Sequence, residues 1–216
     1  MRPSLVFDEE FSRFTQQSIL SIGVDEVGRG CLAGPVVAVA VLFDWSKPEV
    51  ILDLAQRVTV RDSKTLSRPR RKEAAAAIRE VAIAIGIAEV DAKIIDEINI
   101  LQATLRAMRE AVEMCSPPPY EGGGRGEVRV LVDGNQKIPH LDLPQETIID
   151  GDAKIFSIAA ASLVAKEYRD ALMEKFDEEH PGYDFSSHKG YGTKKHVEAI
   201  RLQGLSPIHR ISFWHG

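Results

Sequence analysis

The residues best equipped for chemistry are carboxylates at the ends of apolar runs. Asp25 and Glu26 close the run that starts at Leu20, and an adjacent charged pair there is costly to bury unless something positive meets it. Asp133 ends a second run, EVRVLVD at 127–133, and a third, TIIDGD at 147–152, offers both Asp150 and Asp152. If one sheet gathers four such carboxylates to about 5 Å, each pair repels by roughly 3 kcal/mol at an effective dielectric of about 20. Six pairs then approach on the order of 20 kcal/mol, more than the roughly 5 to 15 kcal/mol that keeps a domain folded. Protons or divalent cations must therefore occupy the cluster. With all-oxygen ligands and neither cysteine nor histidine at metal-binding spacing, Mg²⁺ or Mn²⁺ fits better than Zn²⁺. Two such ions about 4 Å apart, sharing an aspartate, can activate water on one side of a phosphodiester and stabilise the leaving oxygen on the other. The chemistry these residues suit is metal-dependent phosphodiester hydrolysis. Each acid also has a bland role, since a strand-end aspartate commonly makes a turn or caps a helix. Neighbours on a regular strand point to opposite faces, so Asp25 and Glu26 converge only if the strand opens at Gly28 or Glu26 reaches around the edge.

The elements that must position these acids follow from the pattern. Leu20 to Val27 and Pro35 to Phe43 read as two strands of a hairpin, and the turn between them holds Gly28, Gly30 and Gly34. Gly28-Arg29-Gly30 lets the backbone take positive φ angles and approach a ligand, with amide N–H groups free to face an anion. After a connection with one short helical piece, Ser67 and Pro69 start a helix through RRKEAAAAIRE, and Val81 to Val90 forms a third strand. Asp91 caps one long helix to Cys115, striped by Ile94, Ile95, Ile98, Leu101, Leu105, Met108 and Val112. The GGGRG run at 122–126 precedes a strand instead of opening a helix, so it reads as a linker. The runs ending at Asp133 and Asp152 are strands four and five. A long helix follows Asp152 until His180-Pro181-Gly182 stops it, and a further helix begins near Thr193. Three early strands and then alternating strand and helix give an α/β fold, a five-stranded mixed sheet flanked by helices.

At 216 residues and 44% hydrophobic content, the chain can bury one substantial core. The longest uncharged apolar run, 33–43, is too short for a membrane span of about 20 residues. No signal-peptide core is visible at the N-terminus, and Cys31 and Cys115 lack metal-like spacing, so we expect a cytoplasmic chain with reduced thiols. The net charge of -5 argues mildly against nucleic acid. Its distribution argues otherwise: RDSKTLSRPRRK at 61–72 carries six basic residues against one acid, and HKGYGTKKH at 188–196 is also basic.

The motif DEVGRGCLAGPVV resembles the signature of the ribonuclease HII family. The likeness runs from Leu20 to Phe213 through Asp62-Ser63-Lys64, INILQATLRAM, VDG at Asp133, GDAKIFSIAAASLVAK, HKGYGT and SPIHRISF. It implies a single ribonuclease-H-like catalytic domain over 1–216, with a core at about 19–180 and a C-terminal helical, substrate-binding extension at about 181–216. By the same resemblance the catalytic and metal-binding acids are Asp25, Glu26, Asp133 and Asp152; the preference for Asp152 over Asp150 has no other basis. The activity implied is an endonuclease that cuts the RNA strand of RNA–DNA hybrids and nicks on the 5′ side of ribonucleotides embedded in duplex DNA, with Mg²⁺ or Mn²⁺. Telling RNA from DNA requires a reader of the 2′-hydroxyl, which the resemblance assigns to Gly28, Arg29 and Gly30 with Tyr191. Lys64 becomes a phosphate contact. The expected partner is the hybrid or ribonucleotide-containing duplex, bound by a monomer, and no replication or repair docking partner can be named. Two rival readings remain: a related nuclease of DNA junctions, which needs no reader at Tyr191, and a non-catalytic hybrid binder, which has no use for four repelling acids.

Overall fold

A computed structural model describes residue 10 and residues 20–58, 66–115 and 128–215. Among these, five strands form one sheet in the order β3-β2-β1-β4-β5. The strands are β1 (Leu20–Val27), β2 (Val36–Asp44), β3 (Ala84–Val90), β4 (Val128–Asp133) and β5 (Gln145–Ile148). β2 pairs antiparallel with β1 and β3, whereas β4 runs parallel to both β1 and β5. The expected mixed sheet is present. The helices are α1 (Pro48–Arg57), α2 (Arg68–Val81), α3 (Ala92–Ile98), α4 (Ile100–Cys115), α5 (Phe156–Glu179), α6 (Phe185–His188) and α7 (Lys194–Gln203).

Helices cover both faces, which is why β2 reads VVAVAVLF without alternation. Val37, Val39, Val41 and Phe43 join Ile158 and Leu163 of α5 in one core. Val36, Ala38, Ala40 and Leu42 join Met108 and Val112 of α4 in the other. A third, smaller cluster of Ala33, Met173, Tyr183, Phe185 and Ile200 seats the C-terminal segment. The buried Glu10 side chain accepts from Ser21 Oγ (2.8 Å), Ser157 Oγ (2.7 Å) and Ser157 N (2.8 Å), tying the chain ahead of β1 to α5.

The approach of α5 to the sheet depends on Gly23. A Cβ there would lie 2.1 Å from the backbone carbon of Ser157. We expect Gly23→Ala to cost about 3 kcal/mol or more, read as a fall in thermal midpoint, because neither backbone can yield without moving α5. An unchanged midpoint would show that α5 has room to shift.

Several boundaries differ from the sequence expectation. The helix expected from Asp91 to Cys115 breaks at Asn99, which has φ 67° and whose Oδ1 accepts from the N–H groups of Leu101 and Gln102. Asparagine tolerates the left-handed conformation and caps a new helix, so the apolar stripe continues across two helices. The third strand starts at Ala84, since α2 continues to Val81. The fifth strand stops at Ile148: Asp150 takes φ 54° and Asp152 lies in a 3₁₀ turn, Gly151–Ala153. Nor does Asp152 cap the long helix, whose N-cap is Ile155. Thr193 caps α7 as expected, accepting from His196 N. The N-terminal arm apart from Glu10, the GGGRG run and residues 61–65 of the basic segment, Lys64 among them, lie outside the described residues.

Candidate active site

Sheet register brings the acids together. β1 and β4 run parallel and pair as far as Val24 with Val132, so Asp25 and Asp133 are the next residues on neighbouring strands. Carboxyl ends of adjacent parallel strands are where open α/β sheets form their crevices. One carboxylate oxygen from each of Asp25, Glu26 and Asp133 lies within 4.8 Å of the others. β1 stays paired with β2 through Val27, but its pairing with β4 ends at Val24, which leaves that side open to both acids; there Asp25 Oδ1 accepts the Glu26 N–H at 2.7 Å. Asp133 Oδ1 accepts from Gly151 N at 2.7 Å, which fixes the turn bearing Asp152 against the cluster. Asp152 lines the same cavity of about 500 Å³, along with Gly28, Arg29, Gly30 and Tyr191, while Asp150 does not.

The electrostatics match a cation site. Burial pushes the Asp25 carboxyl well above the usual range, and the charges of Glu26 and Asp133 add to it. Burial also raises Glu26, opposed by Arg29, whose Nη1 is 3.3 Å from Glu26 Oε1. Asp133 is raised by burial and by Asp152, against the Gly151 hydrogen bond. At 4.8 Å, two ionised carboxylates repel by about 3 kcal/mol with an effective dielectric near 20. Hard oxygen donors, close spacing and reluctance to ionise together fit Mg²⁺ or Mn²⁺.

The expected reader also assembles. Cys31, beside the glycine turn, pairs with Tyr191 in an isolated antiparallel bridge, and Leu32 N donates to Gly190 O at 2.8 Å. Gly28 takes φ 95°, as a turn glycine can. The Tyr191 backbone is held by three bonds: its N–H donates to His188 O, and its carbonyl accepts from Thr193 N and His196 Nδ1. Its side chain is 42% exposed and faces the cavity.

Two cavity residues escaped the sequence reading. Ser162 donates to Asp25, and Lys166, one turn on, lines the wall with Nζ 2.6 Å from Asp170 Oδ1. Their four-residue spacing as polar interruptions of SIAAASLVAK was the available signal. Asp170 also meets Arg71, while Glu174 joins Arg68 to Lys189, so residues of both expected basic stretches meet α5.

A five-stranded mixed sheet with acids at its parallel strand ends defines a nuclease-type hydrolase of the ribonuclease H fold. The chain belongs to the ribonuclease HII family, whose model matches residues 22–215. A ribonuclease HII of Pelodictyon phaeoclathratiforme is 49% identical over 199 residues, spanning 92% of this chain and 91% of that protein. Among solved structures, the ribonuclease HII in the PCNA:RNase HII complex of Archaeoglobus fulgidus has a TM-score of 0.72 at 24% identity, over 92% of this chain and 96% of that one. Bst-RNase HIII in complex with Mn²⁺ has a TM-score of 0.60 at 21% identity, over 88% of this chain and 65% of that one. The chain is thus an endoribonuclease of the ribonuclease H type, acting on RNA–DNA hybrids.

Proposed function

We propose that this enzyme cuts the RNA strand of hybrids and also nicks 5′ of single ribonucleotides in duplex DNA, with Asp25, Glu26, Asp133 and Asp152 holding two divalent ions, Mg²⁺ or Mn²⁺. The observation that carries the reading is the bridge between Cys31 and Tyr191, which places the glycine turn and the tyrosine together on the rim of the acidic cavity. The bound ions would supply Lewis-acid activation of water and neutralise the leaving oxygen. The chain's own side chains do the rest. Arg29, half exposed and resting against Glu26, is free to move to an incoming phosphate. Tyr191 offers a hydroxyl to the 2′-oxygen and a ring to the sugar or base. Burial pushes that hydroxyl's pKa up, keeping it a donor at neutral pH. The segment 181–216 acts as a substrate-binding extension of one catalytic domain, since Tyr191, in the turn after α6, lines the cavity.

The test is a DNA duplex carrying one ribonucleotide, against the all-DNA duplex, with and without Mg²⁺ or Mn²⁺. We expect a single metal-dependent nick on the 5′ side of the ribonucleotide and an intact control. Cutting of the control at a similar rate would favour a junction-type nuclease, and binding without cleavage would favour a hybrid-binding protein.

A further inference from the structure

The turn of Gly28, Arg29 and Gly30 rests on two arginines, Arg169 of α5 and Arg210 of the C-terminal segment, both fully buried. Arg210 donates from Nη2 to Gly28 O (2.7 Å) and Gly34 O (2.8 Å), from Nη1 to Arg29 O (2.9 Å) and from Nε to Gly34 O (3.0 Å). Arg169 donates to Pro35 O (3.1 Å), Ala33 O (3.1 Å) and Lys189 O (2.8 Å), tying the same turn to the segment of Tyr191. All of these acceptors are main-chain carbonyls. Burying a charge without a bonded carboxylate is expensive, and neutral donors could hold a turn.

The peptide plane shows what the arrangement achieves. In a trans peptide the carbonyl and the following N–H point in opposite directions. With the Gly28 and Arg29 carbonyls aimed inward at Arg210, the N–H groups of Arg29 and Gly30 aim outward. Both residues are exposed, and neither N–H has a protein partner among the described residues. A guanidinium on each carbonyl polarises its peptide, and hydrogen bonds in such chains strengthen one another, so the outward N–H becomes a better donor. Burial lowers the Arg210 pKa to about 10, so the guanidinium remains charged at neutral pH. Gly28 is required by the same clamp, because a Cβ there would lie 2.3 Å from Arg169 Nε.

We infer that Arg210, braced by Arg169, is a positioning residue for ribonucleotide recognition: it presents and polarises the Arg29 and Gly30 amides toward the 2′-oxygen. The inference rests on the reader role proposed above for this turn. Its test uses the full chain with two duplexes, one carrying a single ribonucleotide and the other a 2′-fluoro nucleotide at the same position. In the wild-type enzyme the ratio of kcat/KM between the two measures recognition of the hydroxyl. Arg210→Gln should lower that ratio about tenfold, the scale of one charge-assisted hydrogen bond. Mn²⁺ affinity, followed by calorimetry, and cooperative melting should remain. Arg210→Lys, charged but without the fork, should fall between. Proportional losses on both duplexes, or an unchanged ratio in a folded variant, overturn the inference. Failure of both Arg210 variants to fold, together with an unchanged ratio in Arg169→Lys, reduces the pair to a structural role and also overturns it. A wild-type enzyme that does not distinguish the duplexes sinks the parent reading instead, and the clamp's role with it.

Discussion

Asp25→Asn is expected to lower hybrid cleavage by roughly 10³-fold or more, the scale set by losing several kcal/mol of metal-assisted stabilisation, while the metal-free protein becomes more heat-stable. Both effects come from one oxygen cluster. Asp25 is 6% exposed, touches Glu26 N, and has oxygens of Glu26 and Asp133 within 4.8 Å. Neutralising it removes its share of a repulsion worth about 3 kcal/mol per ionised pair, and each kcal/mol moves the midpoint of a chain this size by about 2 to 4 °C. The sign with pH follows from the raised carboxyls. An acid whose folded pKa lies above its unfolded value favours the fold while protonated, and that contribution is lost as pH climbs from the ordinary carboxylate range through the raised values. Metal-free wild type should therefore melt at lower temperature as pH rises from mildly acidic to mildly alkaline, and Mg²⁺ or Mn²⁺ should reverse the fall. Asp25→Asn should show a flatter pH slope and a smaller gain on adding metal. Melting curves at two pH values, with and without metal, check this alongside the cleavage assay. A variant that keeps its activity, or a metal response equal to wild type, removes Asp25 from the centre.

How much of this could be read from the sequence depended on how local the signal was. The hairpin and the strands that carry Asp25, Glu26 and Asp133 are written in residues next to one another, and they hold. Break points depended on single residues with two conformational options: Asn99 could continue a helix or cap the next one, and it caps. Asp150 and Asp152 looked alike on an extended strand. They separate because the strand ends at Ile148 and the left-handed Asp150 turns the chain so that Asp152 faces the cavity. The bridge between Cys31 and Tyr191 joins positions 160 residues apart, and no periodicity encodes it. Arg169 and Arg210 were the least legible, because a buried guanidinium bonded to carbonyls and a solvated one have the same one-letter code. Net charge misled in the same way: Arg68, Arg71, Lys166 and Lys189 line up along α5 by sharing Asp170 and Glu174, so acids that lower the total help to space the basic groups.

Tyr191 carries the second large expected effect. Its backbone is fixed by three hydrogen bonds that no side-chain substitution removes, and the oxygens that cluster at the site are those of Asp25, Glu26 and Asp133. Tyr191→Ala should therefore leave folding and Mn²⁺ affinity near wild type while kcat/KM on a single-ribonucleotide duplex falls about 10²-fold, within the range expected when a site built around a substrate hydroxyl loses its partner. Tyr191→Phe divides the effect into its parts. If the hydroxyl is the reader, Phe should lose most of what Ala loses, and the ratio between 2′-hydroxyl and 2′-fluoro substrates should collapse in both. If stacking dominates, Phe should retain most of the rate, and only Ala should fail on both substrates alike. The two patterns differ in a ratio measured on one enzyme preparation, so partial misfolding, which scales both rates equally, cannot imitate the first. A Phe variant with wild-type rate and ratio would move 2′-hydroxyl recognition from the ring's hydroxyl to the amides of the glycine turn.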